Sequence, residues 1–173
     1  MKLLLASALA AALLFALPLL SPAATMPVKI MAANLSSGSD QAYEEPGIRI
    51  IKGLQPDVVL IQEFNYESGT RRDLVDAMFS PEYYYYYVQT SSAGDIPNGI
   101  ISRWPFIATG YWDDPEVSNR EFAWAKINLP GDHVLQVVSV HLLTESSFVR
   151  NTEATALKAY VEANFDTGEF IVV

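Results

Sequence analysis

The chain has no cysteine and only two histidines among its 173 residues. The first absence excludes disulfides, thiolate metal centres, a cysteine nucleophile and a lipid-modified N-terminal cysteine, so stability must come from the core. Basic residues are also scarce, 11 Lys and Arg against 20 Asp and Glu, for a net charge of −9. That field favours solubility and opposes sequence-independent attraction to nucleic acid or anionic lipid. An acidic protein can still act on phosphodiesters where a local cation or a bound metal reverses the field. Repeats and low-complexity tracts are missing too, with ten prolines and nine glycines spread along the chain, which excludes collagen and repeat architectures and leaves about one domain's worth of sequence.

Hydrophobic residues make up 50% of the chain and the mean hydropathy is +0.16, yet one N-terminal run supplies much of the excess. Met1-Lys2, an apolar stretch from Leu3 to Leu20 and the Ser21-Pro22-Ala23-Ala24 boundary have the three parts of a secretory signal peptide. The expected organisation is a signal over 1–23, cleaved after Ser21-Pro22-Ala23, and a mature chain from Ala24 that is secreted or periplasmic and not integral to a membrane. The alternative is an uncleaved anchor, since the run approaches bilayer-spanning length.

From residue 26 strands and helices alternate. Val28 to Leu35 reads as a strand ending in Asn34, and Gln41 to Gln55 as a helix with Ile48, Ile51 and Leu54 on its apolar face. Asp57 to Glu63 is a β-branched run of the kind buried on both faces of a sheet. Thr70 to Phe79 is a short helix; Tyr83 to Gln89, Gly99 to Ser102, Glu121 to Leu129 and Val134 to His141 have strand composition. Ser147 to Asn164 is an amphipathic helix, and Glu169 to Val173 begins another buried strand. That last run has no turn or polar tail, so 24–173 reads as the N-terminal part of a domain incomplete at its C-terminus.

In open α/β sheets ligands gather beyond the carboxyl ends of strands. Three polar residues stand at such ends: Asn34 on the face of Ile30 and Ala32, Glu63 on that of Val59 and Ile61, and His141 on that of Val137 and Ser139. Strand alternation alone does not say whether the three converge. Each alone also suits a solvated edge or a satisfied rim group.

Four segments occur in order: Ile30-Met31-Ala32-Ala33-Asn34-Leu35, Pro56-Asp57-Val58-Val59-Leu60-Ile61-Gln62-Glu63, Asn98-Gly99-Ile100-Ile101-Ser102-Arg103-Trp104-Pro105 and Val137-Val138-Ser139-Val140-His141-Leu142. Together they resemble the endonuclease/exonuclease/phosphatase superfamily, with its DNase I-like fold. The resemblance implies an α/β (α+β) protein: two β-sheets packed as a sandwich and flanked by helices in four layers, truncated here, with a phosphoesterase site at one end. It implies Glu63 as a ligand of Mg²⁺, alternatively Mn²⁺ or Ca²⁺, all hard cations that take carboxylate oxygen. Asn34 matches the first-strand asparagine that orients the glutamate, metal or phosphate. His141 matches a catalytic histidine that contacts phosphate or assists proton transfer. Arg120 resembles an arginine that binds phosphate through its planar fork of donors; a surface arginine before a strand is the plain alternative.

In the family the strand beginning at Phe170 leads into a Gly-Asp-Phe-Asn segment, and an Asp-His pair follows later; neither is in this chain. His133 opens a strand and does not replace the second histidine. Asp95 is the nearest carboxylate where the nuclease branch pairs one with the histidine. The five tyrosines Tyr83 to Tyr87 read as packing, Asp113-Asp114-Pro115-Glu116 as a solvated acidic loop, and Arg71-Arg72 as too short for a nucleic-acid patch. The expected function is a secreted, metal-dependent phosphoesterase acting on nucleic acid, or on a lipid or small phosphodiester as a sphingomyelinase does, with no stable protein partner. A non-catalytic binding module that keeps the fold is the third alternative. Without the later strands, the chain by itself is expected to be inactive and poorly folded, exposing Val58, Leu60, Val138 and Val172.

Overall fold

The computed structural model describes residues 25–35, 43–89 and 94–173; the expected signal segment lies outside them. Three helices and eight strands follow in the order β1 (Ile30–Asn34), α1 (Glu44–Leu54), β2 (Val58–Gln62), α2 (Arg71–Met78), β3 (Tyr84–Tyr87), β4 (Gly99–Ser102), β5 (Phe106–Trp112), β6 (Phe122–Leu129), β7 (His133–Ser139), α3 (Ser147–Asn164) and β8 (Phe170–Val172). Among the described residues no helix is long and apolar enough to cross a membrane.

The strands form two sheets, one ordered β1-β2-β4-β3 and the other β5-β6-β7-β8. β1 and β2 run parallel with Asn34 opposite Gln62, and β7 and β8 run parallel with Val137 opposite Val172; the remaining pairs are antiparallel. Alternation along the central strands then builds three cores in series. Val59 and Ile61 of β2 face α1 and α2 with Ile48, Ile51, Leu74 and Met78. Val58 and Leu60 face the second sheet, where Ala123, Ala125, Ile127 and Val137 meet them. On the outer face of that sheet Phe122 and Val138 pack on Leu157 and Phe165 around α3. The four-layer sandwich flanked by helices is therefore present as expected.

Local chemistry explains the helix ends. Thr70 and Asp73 close a reciprocal capping box at the start of α2. Gln55 ends α1 in the left-handed region, at φ 47°, just before Pro56. Three expectations change. Leu54 is 58% exposed, because α1 stops there and Lys29 Nζ takes its carbonyl at 3.0 Å. β5, rich in strand formers from Phe106 to Trp112, is a strand that the sequence reading leaves out, paired with β6 across a register shift. β8 is an edge strand with Phe170 57% exposed, not a buried one.

Val58, Leu60 and Val138 are all buried, contrary to the expectation that they stand exposed. The two sheets already cover each other through β2 against β7 and β4 against β6. Only Val172 stays partly open. The tyrosine run packs as expected: Tyr83, Tyr85 and Tyr87 face the helices and Tyr86 the other sheet.

Candidate active site

Asn34, Glu63 and His141 converge beyond the carboxyl ends of β1, β2 and β7. Parity places Asn34 on the face of β1 turned toward the second sheet, because Met31 and Ala33 pack on the helix side. Val137 and Ser139 likewise turn His141 toward the first sheet. By the same alternation Glu63, in phase with Val59 and Ile61, belongs on the helix side, away from both. It does not go there. Glu63 adopts φ 51°, a left-handed conformation that breaks the alternation immediately after β2 and lets the carboxylate come to the other two residues. For a non-glycine residue this is a strained backbone of the kind that collects at functional sites.

Asn34 Nδ2 donates to Glu63 Oε1 at 3.1 Å, and His141 Nε2 lies 3.8 Å from the same oxygen. The second distance is a close juxtaposition and too long for a hydrogen bond. Both side chains are nearly enclosed, at 17% and 16% exposure. Burial pushes the imidazole pKa of His141 below its ordinary value; the Arg120 charge adds to this and Glu63 opposes it. His141 is therefore mostly neutral near pH 7, with one ring nitrogen available as an acceptor.

Ser139 ties the two sheets beneath this group. Its buried hydroxyl donates to the Ile61 carbonyl at 3.0 Å and accepts from Gln62 Nε2 at 3.3 Å. Arg120 lies in the β5–β6 loop, where its Nε donates to Asn119 Oδ1 at 3.2 Å, and its charge acts on His141. Asn98, fully buried, holds that loop by donating Nδ2 to the carbonyls of Arg120 and Glu121 at 2.9 and 3.0 Å. Neither Ser139 nor Asn98 was singled out as functional from sequence. Their signal, a polar residue inside an apolar strand or at its mouth, becomes specific only when its partner is known.

Of the remaining expectations, those for Asp95 and the acidic loop change, while His133 opens a strand as expected. Asp95 does not pair with His141, whose buried Nδ1 has no hydrogen-bond partner among the described residues. Asp95 instead gives its carbonyl to Asn65 Nδ2 at 2.8 Å. His133 starts β7, at the far end from His141, and packs edge-on to Phe170. The acidic loop is not wholly solvated, since Asp114 is 7% exposed and accepts from the amides of Glu116 and Val117.

Among the described residues no three His, Asp or Glu side chains gather as a preformed metal cage. Glu63 with the Asn34 amide is nevertheless a hard oxygen donor set. Mg²⁺ is commonly held by one or two carboxylates, with water and substrate phosphate completing its shell. The residues present fit such a weakly held cation.

The profile of the Endonuclease/Exonuclease/phosphatase family matches residues 48–169. The chain belongs to this family. Glu63, Arg120 and His141 fall within the match and Asn34 precedes it. The fold is similar to an endonuclease/exonuclease/phosphatase family protein from Leptotrichia buccalis, with a TM-score of 0.63 at 15% identity, covering 82% of this chain and 64% of that one. It is similar also to a humanized D. rerio TDP2, with a TM-score of 0.64 at 16% identity over 79% and 60% of the two chains. For TDP2 from C. elegans the TM-score is 0.63 at 15% identity, over 83% and 45%. The chain thus spans between 45% and 64% of the length of these family structures. None of the curated proteins matches it.

Proposed function

We propose that these residues carry part of the active site of a secreted, divalent-metal-dependent phosphoesterase that hydrolyses phosphodiester bonds. The observation that carries the reading is the meeting of Asn34, Glu63 and His141 at one end of the sandwich, with the Arg120 charge beside them. Family membership supports the phosphoesterase chemistry, and the enclosed, neutral imidazole supports a role at phosphate.

Glu63 and Asn34 would hold the cation, Mg²⁺ first and Mn²⁺ or Ca²⁺ as alternatives. When bound it supplies Lewis acidity toward the phosphoryl oxygens and offsets the charge that develops on them. Asn34 keeps the Glu63 carboxylate aimed. Arg120 binds a phosphate oxygen through its fork of donors. His141 would present Nε2–H to a phosphate oxygen as a hydrogen-bond donor, or, in its protonated form, give that proton to the departing oxygen and return to the neutral imidazole. The substrate is a phosphodiester of nucleic acid, or of a lipid or small molecule; the net charge of −9 weighs against tight duplex binding.

The test uses the complete protein with bis(p-nitrophenyl) phosphate, single-stranded DNA and sphingomyelin vesicles, with Mg²⁺ and then with EDTA. Metal-dependent turnover of at least one of them is expected. No hydrolysis of any, with any of the three cations, would leave the binding module as the better reading. Export is tested by N-terminal sequencing of protein recovered outside the cytoplasm: a start near Ala24 is expected, and Met1 retained on membranes favours the anchor.

A further inference from the structure

The buried carboxyl of Glu153 is unexplained by the site as described. It sits on α3, two turns into the helix, with no exposed surface, and both of its oxygens accept from the Leu143 amide, at 3.1 and 3.2 Å. Leu143 follows His141 by two residues. Arg150, one turn earlier on the same helix, donates Nη1 to the carbonyls of Leu143 and Thr144 at 3.1 and 2.6 Å. The segment leaving β7 is thus gripped on both its amide and its carbonyl side by α3. Asp114, buried in the loop that carries Arg120, is near enough for its charge to act on Glu153.

We propose that Glu153 is a positioning residue for His141, a buried clamp that holds the segment leaving β7 from behind the site. The proposal rests on the phosphoesterase reading for its effect on turnover, and on geometry alone for its effect on His141.

Asp114 Oδ2 is buried, and among the described residues no N–H or hydroxyl reaches it. Buried carboxyl groups that feel each other's charge are relieved when one keeps its proton. Burial pushes the Glu153 pKa up; the Leu143 amide and the Arg120 charge oppose this, and Asp114 adds to it. Burial thus favours the protonated form of Glu153, whose oxygens face the Leu143 amide. The charged groups around it are Asp114 and Arg120, with Arg150 on its own helix and Glu121 behind Asp114, whose amide donates to the Glu121 carboxylate. Held neutral, Glu153 clamps without drawing the Arg120 guanidinium away from phosphate. A second full negative charge at this position would do so.

Glutamine reproduces the neutral acid in shape, in one acceptor and in one donor. The complete protein is therefore prepared as Glu153→Gln, Glu153→Leu and Arg150→Met, with two readouts. The first is the His141 imidazole resonances at fixed pH without metal, assigned with His141→Gln. The second is kcat and KM for bis(p-nitrophenyl) phosphate with Mg²⁺. Glu153→Gln should leave the resonances in place and kcat within about twofold. Glu153→Leu fills the volume but releases Leu143; it should shift the His141 resonances and lower kcat about tenfold or more, on the scale of lost supporting partners. Arg150→Met should move the same resonances, and it decides the matter should Glu153→Leu not fold. The clamp is overturned if Glu153→Leu, or Arg150→Met in its place, lowers the melting temperature while leaving His141 and kcat unchanged. It is overturned equally if Glu153→Gln disturbs His141 as much as leucine does, since charge would then be the active property. A wild-type protein without turnover sinks the phosphoesterase reading and leaves the His141 resonances to judge the clamp.

Discussion

Asn34 and Glu63 are joined by a 3.1 Å hydrogen bond across 29 positions of sequence. The parallel pairing of β1 with β2, which sets Asn34 opposite Gln62, would by alternation alone send Glu63 to the opposite face. The left-handed backbone at Glu63 is what makes the contact. A conformation disfavoured for glutamate is therefore spent on the one carboxylate of the site.

This separates stability from activity at position 63. Glu63→Gln keeps the shape and removes the charge. Turnover should fall by more than the ~10–100-fold typical of partners one shell further from a metal, with the thermal melt little changed. Glu63→Gly should abolish turnover yet melt no lower than wild type. Relief of about 1–2 kcal/mol of left-handed strain outweighs or balances the roughly 0.4–1 kcal/mol that glycine returns to the unfolded chain. A melting temperature several degrees lower in Glu63→Gly would show that the backbone there is not strained.

Ser139 is the hydrogen bond between the sheets nearest the site. Removing its hydroxyl in Ser139→Ala leaves the Ile61 carbonyl without that donor and should cost about 1–3 kcal/mol. It should also lower kcat, because Glu63 and His141 are each two residues from the joint. Chemical denaturation and steady-state kinetics on the same preparation check both. Loss of stability with full kcat would mean that the two sheets hold the site without it.

Asn98 binds the carbonyls of Arg120 and Glu121. In Asn98→Ala the β5–β6 loop loses both bonds, so KM for a phosphodiester should rise as it does in Arg120→Ala, and the double variant should be little worse than either single one. Additive losses in the double variant would show that Asn98 does not act through Arg120.

The pH dependence of stability follows from buried acids. Burial raises Glu121 and Glu153 above their ordinary value of 4.5, so in this window the folded state keeps protons that the unfolded chain has released. Their stabilising contribution is complete below the unfolded value and is lost as pH rises through the raised folded values. His141, lowered by burial from 6.5, has the opposite sign: stability is lost as pH falls from about 6.5 through the lowered value. The difference in unfolding free energy between Glu153→Gln and wild type isolates one group. It should move in favour of glutamine as pH rises from the ordinary carboxylate range; a difference independent of pH would contradict the raised value.

Amino-acid order alone determines a good deal of this protein. β-branched runs such as Val58 to Ile61 must lie in a sheet covered on both faces, and the 3.6-residue spacing of Ile48 and Ile51 makes α1 amphipathic. Polar residues at strand ends mark where chemistry can stand, and the ordered segments around Asn34, Glu63 and His141 carry the family. These are local properties, legible because periodicity and propensity act over a few residues. Convergence was not legible. Alternation set Glu63 on the wrong face, and only its left-handed φ, imposed by the chain beyond β2, turned it to His141. Asp114 in an acidic run reads as a solvated position and nothing local marks Glu153 on α3, yet both are buried. Glu153 is satisfied from another element, by the Leu143 amide after β7. A charged side chain is buried only where distant groups satisfy it, and which groups those are is decided by packing the layers together.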